Sequence, residues 1–251
     1  YGPEVGTQNN FRYTEKLKKP VIFLINQLDS EKCDFDNIIN TMRDIYGDKC
    51  VQIQYPLQTG PDFNSLIDVL IMKKLSWDKD GGEPKREDIP EEEMEKAMEL
   101  HRALVEAAAE NDDELMEKFF DDKPLTEDEL RMGIRKGLVT RSIFPVFCVD
   151  AHKDMGVQRL MEFLGNVVPF VDDMPACRNT RGEEVPHKPD APESLYFFKT
   201  GMEPHIGEVS YFKVMSGSVK AGDDLTNADR GSKERMGQIY ACAGANRIPV
   251  D

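Results

Sequence analysis

The sequence has 251 residues, with 32 Lys and Arg against 47 Asp and Glu, a formal net charge of −15. That length admits one large domain or two ordinary ones, and an apolar content of 39% supplies a core and excludes wholesale disorder. The acidity argues against a nonspecific DNA-coating protein, which needs clustered Lys and Arg. The longest strongly apolar run, residues 21–25, falls far short of the ~20 residues that cross a bilayer. The N-terminus lacks the basic and apolar regions of a secretory signal, and the absence of an initiator Met leads us to expect a piece of a longer protein. Five scattered cysteines (Cys33, Cys50, Cys148, Cys177, Cys242) without a C-x-x-C fit a reducing cytoplasm.

In chain order, residues 5–18 suit a helix that Pro20 ends. Residues 21–25 (VIFLI) are apolar on both faces, as a buried parallel strand requires. Phe35, Ile38, Ile39, Met42 and Ile45 set a helical period that stops near Gly47, and short strands are expected at 51–55 and 66–72. Met94, Ala97, His101, Leu104 and Ala108 mark an amphipathic helix, followed by a short apolar one through Leu115, Met116, Phe119 and Phe120 that Pro124 ends. Thr126 and Glu129 form a capping box for a third helix, with Gly137 as its expected stop. Residues 143–149 are a second wholly apolar strand. A helix from Gly156 is expected to bury Val157, Leu160, Leu164 and Val168. Strand–helix alternation of this kind predicts an α/β sheet. Residues 171–192 lack periodicity and are rich in Pro, Asp and Arg, as a linker is. Strands at 194–200, 207–215, 218–225 and 235–242, separated by Gly turns, open an antiparallel barrel or sandwich.

The charge is local. Residues 78–131 hold 21 acids and 8 bases, a net of −13, so the remaining chain is close to neutral. Such a stretch serves as a solvated helix face or as a docking surface for a basic partner.

Two strand ends carry the candidate chemistry. Asn26, Gln27, Leu28 and Asp29 follow the first apolar strand, where open α/β sheets bind ligands. A carboxylate at Asp29 can accept from N1–H and the 2-amino group of guanine, and adenine would leave it unpaired. Asn26 would brace the loop, the stem of residue 27 would lie over base or ribose, and Leu28 would pack. Cys148, Val149, Asp150, Ala151, His152 and Lys153 follow the second strand, where the Ala151 N–H can meet guanine O6. Taken singly, each motif also suits an ordinary turn, with Asp150 as a local cap. No G-x-x-x-x-G-K-[ST] is present to cradle phosphates, residues 78–89 miss the Gly and Glu of a calcium loop, and the four histidines form no metal set.

Together these features resemble the translation elongation factor G family, the ribosomal translocase GTPases. The resemblance rests on PVIFLINQLD, PLQTGPDFNSLIDVLIMKKLSWD, EAAAENDDELMEKFF with LTEDEL, PVFCVDAHKDMGVQRLMEFLGNVVP, and YFKVMSGSVKAGDDL with GSKER. It implies that residues 1–171 are the second half of a P-loop GTP-binding domain, with an inserted acidic helical and sheet subdomain at roughly 51–140. A linker at 172–187 and the first half of the antiparallel β-barrel domain II at 188–251 follow. It also implies GTP or GDP as nucleotide, held by Asn26, Gln27, Leu28, Asp29, Asp150 and Ala151. Mg²⁺ would serve the intact parent, its ligands lying outside these residues, so this piece alone is expected to be inactive in hydrolysis. Gln27 stands where the family has Lys, and Asp150 where it has Ser, which suggests a divergent paralogue. The implied partner is the ribosome, with Glu92, Glu95, Glu99 and Glu106 of the acidic insert meeting the basic C-terminal domain of the stalk protein in the cytoplasm, without DNA or membrane. Ribosomal protection factors and release factors of the same superfamily are the near alternatives, and a non-catalytic stalk-binding module is the distant one.

Overall fold

The computed structural model describes residues 2–78, 81–204, 206–244 and 246–250, without the side chain of Ala243. Lys79 and Asp80 of the stretch 78–89, and His205 among the four histidines, lie outside them. The chain divides into two units, Tyr1–Phe170 and Val171–Asp251.

The first unit begins with α1 (Val5–Lys16), β1 (Phe23–Ile25), α2 (Phe35–Tyr46) and β2 (Cys50–Gln52). An antiparallel run β3 (Gln54–Pro56), β4 (Ser65–Asp68), β5 (Lys73–Ser76) and β6 (Lys85–Glu87) follows, then α3 (Glu91–Ala109), α4 (Asp113–Phe120) and α5 (Glu127–Thr140). The chain returns with β7 (Phe144–Cys148) and α6 (Val157–Asn166). β7 lies between β1 and β2 in a parallel sheet, with Phe23 opposite Val146, Ile25 opposite Cys148, and Cys50 opposite Phe144. A strand paired on both edges and covered on both faces needs apolar residues throughout, and all five residues of β7 are buried. On one face Phe11, Phe23, Tyr46 and Phe144 cluster, with Phe11 and Tyr46 ring centroids 4.5 Å apart. On the other, Phe147 meets Phe163 of α6 at 4.7 Å.

Several expectations shift. β1 is an edge strand, so Leu24 is 47% exposed although its neighbours are apolar. The single strand expected at 51–55 is two strands in different sheets, because the Ile53 carbonyl turns to the Val69 N–H (2.9 Å) and sends the chain into the antiparallel sheet. The strand expected at 66–72 stops at Asp68, whose side chain takes the Leu70 and Ile71 N–H groups and turns the chain. Gly137 does not end α5. It lies inside the helix, where a Cβ would sit 2.5 Å from Ile143 Cδ1, and Arg141 instead adopts the left-handed C-cap at φ 61°. Arg141 is held there over the Phe144 ring, 5.2 Å from its centroid. The capping box of Thr126 and Glu129 is present. Of the α6 face expected to be buried, Leu160 and Val168 pack partly buried against the core and Leu164 is exposed; the fully buried positions are Arg159, Phe163 and Val167, because Phe163 packs on Phe147 and Arg159 has a buried carboxylate partner.

The second unit contains hairpins. The expected linker holds a short one, β8 (Cys177–Arg178) with β9 (Glu184–Val185). β10 (Ser194–Glu203) pairs with β11 (Gly207–Ser216), β12 (Asp224–Thr226) with β13 (Lys233–Arg235), and β14 (Ile239–Ala243) with β15 (Asn246–Val250). The strand expected at 218–225 shrinks to β12, and that at 235–242 is broken between β13 and β14. Among the described residues each hairpin is its own two-stranded sheet, and no strand pairing joins them into the barrel expected here.

Candidate functional site

Parallel pairing of β1 and β7 brings their C-terminal ends side by side, at the end of an α/β sheet where ligands bind. The Val149 N–H donates to the Ile25 carbonyl at 2.9 Å and extends the ladder one step. One residue further, Asn26 Oδ1 accepts the Ala151 N–H at 3.0 Å and ties the two loops together. Gln27 is exposed and left-handed at φ 59°. Leu28 is fully buried, and its carbonyl accepts the Gly60 N–H at 2.8 Å, which anchors the loop from below. Asp29, partly exposed, forms an ion pair with Lys153 at 3.1 Å. Desolvation pushes its carboxyl up, but the Lys153 ammonium outweighs it and holds the pKa below the ordinary aspartate value of 3.8.

Asp150 is wholly buried. Its Oδ1 accepts the His152 and Lys153 N–H groups, each at 3.1 Å, and its backbone bonds reciprocally with Met155. The loop 150–155 is thereby closed on itself. Asp150 Oδ2 has no hydrogen-bond partner among the described residues. Gly156 then starts α6 against the strand at φ 82°, where a Cβ would lie 2.5 Å from the Cys148 carbonyl oxygen. The chain therefore brings Asn26, Gln27, Leu28, Asp29, Asp150 and Ala151 to one place. Both groups expected to read guanine have partners of their own: Asn26 for the Ala151 N–H and Lys153 for Asp29.

The insert touches this loop, which sequence reasoning missed. The Gly82 N–H donates to the Asp154 carbonyl at 2.9 Å, and a Cβ on Gly81 would lie 1.8 Å from the Lys153 carbonyl oxygen. Beneath the loop, Gln54, Asp68 and Arg159 form a buried polar cluster. The available signal was Asp68 standing alone in the apolar run 66–70, since an ionised group is buried only with partners.

Glu92, Glu95, Glu99 and Glu106 are all exposed and recur at three-, four- and seven-residue steps along α3. Glu93, between them, turns inward and accepts from the Tyr55 hydroxyl at 3.0 Å. The buried stripe of Ala97, Leu104 and Ala108 holds α3 against the core of the first unit. Close packing on α5 depends on Gly133, where a Cβ would lie 2.6 Å from the Ala108 carbonyl oxygen. No group of three or more metal-ligating side chains occurs among the described residues, and none of their helices is long and apolar enough to cross a membrane.

Residues 192–251 match the family described as elongation factor G domain 2. Among solved structures, one from Thermus thermophilus is similar to the whole chain, with a TM-score of 0.82 and 24% sequence identity. The match covers 100% of this chain and 35% of that one, so the chain spans about a third of the length of the protein it resembles. At that identity the likeness establishes a shared mixed α/β fold.

Proposed function

We propose that this chain is part of a translational GTPase of the elongation factor G type, and that Asn26, Asp29 and Ala151 form the base-reading half of its nucleotide site. The observation that carries this is the Asn26–Ala151 hydrogen bond, which sets a carboxylate and a backbone N–H together at adjoining strand ends. The elongation factor G domain 2 match immediately downstream supports it. A carboxylate accepts from guanine N1–H and the 2-amino group, and an N–H donates to O6, so the donor set fits guanine and leaves adenine unpaired. Binding requires the base to take over from Lys153 at Asp29 and from Asn26 at Ala151. Gln27 supplies a shorter, uncharged stem over the ribose than a Lys would. Hydrolysis belongs to phosphate-binding groups outside this sequence, and GTP is its substrate.

The role in translation we propose is tRNA–mRNA translocation in the cytoplasm. The acidic stripe of α3 docks a basic stalk domain of the ribosome, raising the encounter rate in a salt-sensitive way. Titration of the full-length protein with fluorescent GDP, followed by ribosome-stimulated GTP hydrolysis and mRNA movement, tests the reading. GDP binding with stimulated hydrolysis and movement supports it. GDP binding without movement favours a protection or release factor, and stalk binding without GDP binding favours the scaffold. The Gln27→Lys, Asp150→Ser double variant should bind GTP more tightly, and no gain would remove the idea of altered nucleotide dependence. Reversing Glu92, Glu95, Glu99 and Glu106 to Lys should impair stalk binding at low salt.

A further inference from the structure

We infer that Gln54, Asp68 and Arg159 are positioning residues for the base-reading loop, with the single oxygen Asp68 Oδ2 fixing both of its ends. β2 leaves the parallel ladder after Ile53, whose carbonyl is taken by Val69. The next N–H on that edge of β7, Cys148, would be left without a backbone acceptor. The Gln54 side chain supplies one: its Oε1 accepts the Cys148 N–H at 3.1 Å. The other end of the same amide, Nε2, donates to Asp68 Oδ2 at 2.9 Å. Arg159 Nε donates to that oxygen at 2.8 Å, and Arg159 lies in the first turn of α6, directly after the loop. Asp68 Oδ1 accepts the Leu70 and Ile71 N–H groups at 3.1 and 3.2 Å, so the carboxylate is itself locked to the backbone.

Strand end and helix start, the two ends of loop 150–155, are thus referred to one point in the insert. Gln54 and Asp68 are fully buried and Arg159 is 7% exposed. Stability alone does not account for such a cluster, because well-packed apolar residues can replace a buried ion pair at little or no cost. What it supplies is location, the property a reading site within hydrogen-bond tolerance requires. The turn at Gly81 and Gly82, seated on the backbone of Lys153 and Asp154, makes the insert's hold on the loop continuous with its surface.

This inference rests on the guanine-reading assignment, and its test separates the two. In the full-length protein, Gln54→Met keeps the volume but leaves the Cys148 N–H buried without an acceptor. Amide hydrogen exchange at 148–155 should accelerate, GDP binding should weaken roughly ten-fold, and the preference for GDP over ADP should fall. Gln52→Met is the control: Gln52 is also buried, yet its side chain bonds Arg43 at 3.2 Å, away from the loop. It should change neither loop exchange nor base preference. If Gln54→Met does not fold, Arg159→Lys keeps the charge and should loosen the loop from its helix end. Unchanged exchange at 148–155 together with an unchanged GDP/ADP ratio in a folded variant would overturn the inference. If the unmodified protein does not bind GDP, the guanine reading fails, and the exchange measurement still decides whether the cluster positions the loop.

Discussion

β7 and β10 are both apolar strands, and they meet different fates. β7 is five residues long and wholly buried, whereas none of the ten residues of β10 is buried. Phe147 is fully covered by its sheet neighbours and Phe163, while Phe198 is 55% exposed although Tyr211 lies beside it. Turn chemistry and cross-strand pairing suffice to make a hairpin. Burial needs a second layer, and the first unit has one on each face of its sheet. Of all the buried residues, only Ser216 lies in the second unit among those described.

The largest expected effects separate the two units by matched substitutions. Phe163→Ala removes a fully buried ring from the first unit and should cost about 3–5 kcal/mol in denaturant unfolding. Phe198→Ala in the second should stay within about 0.5 kcal/mol. Glycines give a second pair. Gly133→Ala places a methyl against the Ala108 backbone and should cost about 1–3 kcal/mol despite the gain in helix propensity. Gly237→Ala meets nothing within 4 Å, and the thermal midpoint should be unchanged. Thr126→Ala removes the cap of α5 and should cost about 1 kcal/mol.

The smallest effect concerns pH. Asp29 in the first unit and Glu203 in the second both have pKa values below the ordinary carboxylate range, Asp29 against the pull of burial through Lys153, Glu203 first through Arg247. A depressed folded value adds stability above the unfolded pKa, and that share is lost as the pH falls through the folded pKa. For Asp29 the loss therefore begins near pH 3.8 and completes below it. Carboxyl NMR should place its midpoint under 3.8, and Lys153→Met should raise it.

What was legible in the sequence tracks locality. The helix at 35–46, the capping box and the apolar β7 followed from period, cap chemistry and composition. The stop assigned to Gly137 failed because the glycine serves close packing, with room for a Cβ taken by Ile143 and by Asn111, 26 positions earlier. On α6 the expected Leu160 and Val168 do pack on the core, but Leu164 is exposed and Arg159 is drawn inward by Asp68, 91 positions earlier. At the candidate site the two strand-end motifs were readable in the sequence, and the structure brings them side by side. Their mutual hydrogen bond, the Lys153 contact and the cluster beneath the loop depend on pairings across long separations, which carry no local periodicity.

The base-reading assignment is tested most directly by exchanging its one discriminating oxygen for a donor. Xanthine carries a carbonyl at C2 where guanine carries an amino group, so a site that reads guanine through Asp29 should read xanthine through an amide. In the full-length protein, the account predicts that the unmodified chain prefers GDP to XDP and that Asp29→Asn reverses the order. A preference left unchanged by Asp29→Asn would contradict it.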